Sequence, residues 1–94
     1  MTDLELLEKV KKGLGVSGTY QDDTLQLYID EVKGFMKNAG VTQSTIDGSE
    51  SVGVIIRGVA DLWNYGAGST ELSPYFLQRV TQLAYKVIDE GASE

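Results

Sequence analysis

The sequence predicts an all-α fold, a small four-helix domain that occupies residues 1–94 as a single unit. Apolar side chains recur at helical spacing in four segments, and glycines or a Ser-Pro pair stand at the segment ends. The composition is that of ordinary globular protein, with 41% hydrophobic residues, 23% charged residues and one proline. The predicted helices cover residues 2–14, 22–39, 49–65 and 73–90.

The first helix has acidic residues in its early turns and lysines in its last, as the helix dipole favours. Gly13 or Gly15 is expected to end it. Its predicted buried face consists of Leu4, Leu7, Val10 and Leu14.

The second helix has the clearest apolar periodicity. Asp22 or Asp23 is expected to cap its start, and Gly40 to end it. Residues 41–50 are small and polar, so a loop with a turn at Asp47-Gly48 is expected after it. The predicted apolar stripe consists of Leu25, Tyr28, Ile29, Val32, Phe35, Met36 and Ala39.

The third segment opens with β-branched residues, and residues 52–56 alone are short enough for a strand. Helical spacing continues as far as Trp63, however, which favours a helix capped by Ser49 and closed by Gly66 and Gly68. The fourth helix has Ser73 as its predicted cap and Pro74 in its first turn. Its predicted buried face consists of Phe76, Leu77, Val80, Leu83, Ala84, Val87 and Ile88, and residues 91–94 are expected to be a frayed tail.

Two glycines fall inside the central helices, where each costs about 1 kcal/mol relative to alanine. Either Gly34 and Gly58 allow the second and third helices to approach closely, or both lie on the surface. The spacing leaves both interpretations open.

Composition excludes most catalytic sites. The chain has no cysteine and no histidine, so thiolate chemistry, disulfides and the commonest general base and metal ligand are absent. A net charge of −6 disfavours binding to phosphates or anionic lipid. No apolar run approaches the ~20 residues that span a bilayer, and the acidic start is unlike a targeting peptide. We expect a soluble, non-enzymatic protein without membrane contact.

Two motifs that could suggest chemistry have structural explanations. Residues 13–18 match Gly-x-Gly-x-x-Gly, but the string follows a helix where the dinucleotide fingerprint requires a strand before it. Neighbouring residues point about 100° apart around a helix, so the acids of the pairs at 22–23, 30–31 and 89–90 do not converge on one ion. The sequence predicts no catalytic, cofactor-binding or metal-binding residues.

The candidate interface lies around the glycine-rich turn between the third and fourth helices. Trp63, Tyr65, Tyr75 and Phe76 flank this turn, where they either join the two helices as core residues or anchor a partner chain. Asp47, in the polar loop, is a further candidate because such a loop can reorder on binding.

Four segments together resemble a known family. They are residues 6–11, with Leu-Leu-Glu-Lys-Val-Lys, residues 22–29, with Asp-Asp-Thr-Leu-Gln-Leu-Tyr-Ile, residues 56–66 and residues 72–83. In order and combination they resemble the head-tail connector, or DNA-packaging adaptor, proteins of tailed phages and prophages of Gram-positive bacteria. Relatives often carry a basic residue after the aromatic-Asn pair, where this chain has Tyr65, so contacts of that basic side chain are not transferred.

The resemblance implies a structural subunit without a cofactor. Copies would assemble into a ring, twelve-fold in the virion, that contacts the portal protein and a head-closure or tail protein. DNA would pass through its channel without specific binding, which acidic walls would favour. The implied location is the head-tail junction of the virion, and the bacterial cytoplasm during assembly. The alternative is an acidic helical binding module or regulator that engages a basic protein by charge complementarity.

Overall fold

The computed structural model describes residues 2–65 and 72–92, with side chains given for these residues other than 65 and 86–92. Across these ranges the chain is helical and contains no strand, so the all-α prediction is confirmed. A 3₁₀ turn, Ser49–Ser51, lies directly before the helix that begins at Val52. The helices are α1 (Asp3–Leu14), α2 (Asp22–Asn38), α3 (Gln43–Asp47), α4 (Val52–Tyr65) and α5 (Pro74–Ala92).

The central element is α4, which packs against α1, α2 and α5. It is apolar on most of its circumference, as expected of a helix surrounded by others. The helical interpretation of residues 52–56 is therefore confirmed. Its buried residues include Val54, Ile55, Val59 and Leu62, and its half-buried residues include Val52, Ile56 and Trp63.

The buried face of α1 differs from the predicted one. Leu6 is buried, whereas Leu4 is 68% exposed, so the prediction for Leu4 was wrong. The reason is the close packing of α1 on α4 at Gly13, where an added Cβ would lie 2.7 Å from Ile56 Cγ2. Because Gly13 must face α4, the residues one and two turns before it face inward as well. Gly15 ends α1 as predicted, with a left-handed φ of 73°.

The start of α2 corrects the capping prediction. Gln21 occupies the N-cap position without a side-chain hydrogen bond, and Asp22 is the first helical residue. Asp22 Oδ1 instead lies 2.9 Å from Lys11 Nζ on α1. Among the described residues Asp22 Oδ1 has no hydrogen-bond partner, so its interaction with Lys11 is that of an ion pair. Lys11 is buried, and the pair ties α1 to α2.

The prediction of a loop over residues 41–50 was wrong in part, because this segment contains α3 and the 3₁₀ turn. Thr42 caps α3, with its Oγ1 accepting a hydrogen bond from the N–H of Thr45 at 3.3 Å. Val41 and Ile46 are buried, which anchors the segment to the core. Ser51 Oγ donates to the carbonyl oxygen of Thr45 at 2.7 Å. As a result α4 begins at Val52, three residues after the predicted start.

The two interior glycines have different environments. At Gly58 an added Cβ would lie 2.5 Å from Phe76 Cε1 and 2.9 Å from both Val32 methyl carbons, so this glycine permits close approach of α2, α4 and α5. At Gly34 an added Cβ would meet nothing within 4 Å. Gly58 therefore lies at a close helix contact, whereas Gly34 lies on the surface.

In α5 the buried residues are Phe76, Val80 and Leu83. Leu77 is 41% exposed, so its assignment to the buried face was wrong, since it is one position beyond Phe76 on the helix and points to a different side. Val87 and Ile88 lie outside the described side chains. The helix continues to Ala92, so the first two residues of the predicted tail, 91–92, are helical.

Candidate protein interface

The start of α5 is rigidly attached to α4. Ser73 caps α5, with its Oγ accepting from the N–H of Phe76 at 3.2 Å. The backbone N–H of Ser73 in turn donates to Asp61 Oδ2 at 3.1 Å. Asp61 is only 7% exposed, so this hydrogen bond lies largely out of water, where an unpaired carboxylate would be costly. The aromatic pair that follows Ser73 is held in position by these contacts.

Phe76 is a core residue. It is fully buried, and its ring centroid lies 5.7 Å from that of Phe35 in a tilted arrangement. Its ring also occupies the space beside Gly58. The core interpretation therefore applies to Phe76, and its side chain is not exposed to a partner.

Tyr75, the neighbouring residue, is 55% exposed. The guanidinium carbon of Arg57 lies 5.1 Å from the centroid of its ring, a cation–π contact that holds the ring against α4. An aromatic side chain that is exposed and already ordered loses little conformational entropy when a partner covers it. Tyr75 is thus the best placed of the predicted interface residues whose side chains the structure describes.

The structure also describes two of the other three predicted interface residues, Trp63 and Asp47. Trp63 is half-buried and packs against the core. The side chain of Tyr65 lies outside the described residues. Asp47 is exposed at the end of α3, where Oδ1 accepts a hydrogen bond from Gln43 Nε2 at 3.0 Å. This local bond gives Asp47 a structural role within α3.

Besides Tyr75, the structure shows exposed apolar residues that were not predicted to lie at an interface. They are distributed over a molecule that measures 45 × 27 × 17 Å. The sequence contains a signal for Leu27, because this apolar residue falls outside the predicted apolar stripe of α2. On α1, α2 and the turn between them they are Leu4, Tyr20, Leu27 and Phe35, and on α5 they are Leu77 and Tyr85.

Two grooves lie on the part of the chain that the structure describes. One of about 330 Å³ runs along α1 and is lined by Leu4 together with two glutamates and two lysines. Another of about 230 Å³ lies between the 3₁₀ turn and α5. Within the described residues, no group of three or more acids is arranged to hold a metal ion. The same part of the chain has no helix long and apolar enough to cross a membrane.

Comparison of the chain with protein-family models, curated proteins and solved structures finds no match. The features that bear on function are the exposed helix sides of α2 and α5 and the resemblance in residues 6–11, 22–29, 56–66 and 72–83.

Proposed function

We propose that the protein is a structural head-tail connector subunit of a tailed phage or prophage. Copies form a ring below the portal, extend the DNA channel and dock the next head-completion or tail protein. The protein acts in the virion after assembling in the bacterial cytoplasm, and it has no enzymatic role and no cofactor. The all-α fold and the four family-like segments support this proposal.

The observation that carries the proposal is the presence of two exposed helix sides of different composition, one on α2 and one on α5. A ring of identical copies requires heterologous contacts, in which one surface of each copy meets a different surface of the next. The α2 side includes Leu27, which is 69% exposed, and the α5 side includes Tyr75, whose ring Arg57 already holds in place. Tyrosine is among the residues that most often anchor protein–protein contacts, which makes the α5 side the better supported of the two.

The charge of the chain suits a DNA channel. Its net charge of −6 disfavours adhesion to phosphates, so DNA would slide past the ring without being held. A mobility-shift assay at physiological salt is expected to show no stable complex with duplex DNA. A stable shift would contradict this part of the proposal.

The proposal is tested by mixing the purified chain with the portal protein of the same phage or prophage. Light scattering and negative-stain electron microscopy are expected to show rings seated on the portal. Tyr75→Ala should weaken assembly while the matched exposed control, Gln43→Ala on α3, should not. A wild-type chain that remains monomeric and does not bind portal would refute the proposal.

The same experiment separates the connector from the alternative, an acidic module that binds a basic protein. The alternative predicts a one-to-one complex with a cationic protein that dissociates as salt rises, and no ring.

A further inference from the structure

The outward side of α2 carries a continuous exposed stripe. Its residues stand at Asp23 and at four, seven, eight and eleven positions after it, which places them on one side of the helix. Leu27, at 69% exposure, is the apolar residue among three acids, and the exposed Lys37 at the end of the same side leaves its charge negative. Gly34 adds a position without a side chain, and no atom lies within 4 Å of where its Cβ would be. The α2 stripe consists of Asp23, Leu27, Asp30, Glu31 and Gly34.

The outward side of α5 has the opposite character. Between Pro74 and Tyr85 the only charged residue is Arg79, in a chain whose net charge is −6. Arg57 adds a second positive charge, because its guanidinium lies over the ring of Tyr75. Glu50 borders this side from the 3₁₀ turn, at the groove that Arg79 also lines, and the balance remains positive. The α5 face consists of Tyr75, Gln78, Arg79, Gln82 and Tyr85.

We infer that the α2 stripe of one copy packs against the α5 face of the next copy. The two surfaces are complementary, since three carboxylates face two guanidinium groups and Leu27 faces a tyrosine-bearing surface. Gly34 lets α5 of the next copy approach the α2 backbone closely, as small residues do at helix contacts. This contact deepens the proposed function, and the ring itself rests on that function. A heterologous contact gives a closed ring only when the rotation between neighbouring copies closes on itself, and otherwise gives an open filament.

Charge reversal tests the contact. Asp30→Lys with Glu31→Lys in one chain, or Arg79→Glu in another, should each weaken self-association about tenfold or more in sedimentation experiments, because like charges then meet. An equal mixture of the two variants should recover association, since each reversed surface meets its complement. Glu8→Lys, an exposed reversal on α1, is the matched control and should behave as wild type. Circular dichroism checks that every variant folds.

Disulfide cross-linking gives a second readout that does not depend on assembly strength. The chain has no cysteine of its own, so single introduced thiols are unambiguous. When Gly34→Cys and Gln78→Cys chains are mixed and oxidised, mixed dimers should exceed both kinds of like dimer. Lys12→Cys in place of Gln78→Cys serves as the control and should give few mixed dimers. A predominance of like dimers between Gly34→Cys chains would overturn the inference, since it indicates a two-fold contact.

The outcomes separate the contact from the function. If wild-type rings bind portal and none of the reversals weakens them, the assignment of these faces is wrong and the connector function stands. If reversals and cross-links follow the expected pattern but portal is not bound, the contact stands and the connector function falls. A chain that neither self-associates nor forms mixed cross-links overturns the inference.

Discussion

Gly58→Ala should destabilise the protein, although alanine is the better helix former. The added methyl would lie 2.5 Å from Phe76 Cε1 and 2.9 Å from the two Val32 methyl carbons. Overpacking of a tight core costs about 1–3 kcal/mol, and three contacts this short place Gly58 near the upper end. Subtracting the gain of about 1 kcal/mol in helix propensity leaves a loss of about 2 kcal/mol in the free energy of unfolding.

Gly34→Ala is the matched control, because it makes the same change inside the neighbouring helix. Its methyl would meet nothing within 4 Å, so only the propensity gain remains, and stability should rise by about 1 kcal/mol. Urea unfolding followed by circular dichroism at a concentration where the chain is monomeric measures both effects. With a slope of about 1 kcal/mol/M, the midpoints should move by about 2 M downward and about 1 M upward. If both variants gain stability equally, the close approach at Gly58 is refuted.

Three further predictions concern individual contacts. Phe76→Ala should cost about 3–5 kcal/mol of stability because it empties a fully buried site, whereas Tyr75→Ala should cost about 0.5–1 kcal/mol because it removes only an exposed cation–π contact. Asp61→Ala should cost about 1–3 kcal/mol, since the N–H of Ser73 loses its acceptor. Asp22→Ala should destabilise the protein by leaving the buried ammonium of Lys11 unpaired, and adding Lys11→Met should restore much of the loss.

Urea unfolding measures these three effects as well, and each has its own contradicting result. Equal losses for Phe76→Ala and Tyr75→Ala would contradict their different burial. For Asp61, the comparison is Asp61→Asn, which keeps an acceptor oxygen; it should retain more stability than Asp61→Ala, and equal losses would show that the hydrogen bond contributes little. For the ion pair, a double variant no more stable than Asp22→Ala alone would show that the cost does not come from Lys11.

The sequence predicted the long helices well because each carries strong local signals. The Ser73 cap and Pro74 place the start of α5 correctly, and Gly15 places the end of α1. The short helix α3 was missed because its signal is tertiary. Val41 and Ile46 are single apolar residues in a polar segment, and only their burial in the core shows that the segment is ordered.

The candidate interface was less predictable than the helices. Aromatic residues near a turn suit a core and an interface equally well, and the same sequence pattern describes both Tyr75 and Phe76. Their separation into one exposed and one buried ring depends on how α5 is rotated against α4, which the contact at Gly58 determines. Leu27 stands outside the apolar stripe of α2 in the sequence, and its 69% exposure then made it a candidate.

The sequence by itself determined the fold class, the ends of most helices and the absence of cysteine and histidine, because these follow from composition and from interactions between near neighbours in the chain. Only the tertiary structure decided which side of each helix is buried, which glycine lies at a close contact and which apolar residues remain exposed. Those properties depend on side chains that meet across helices, such as Gly58, Val32 and Phe76, and no local pattern contains that information.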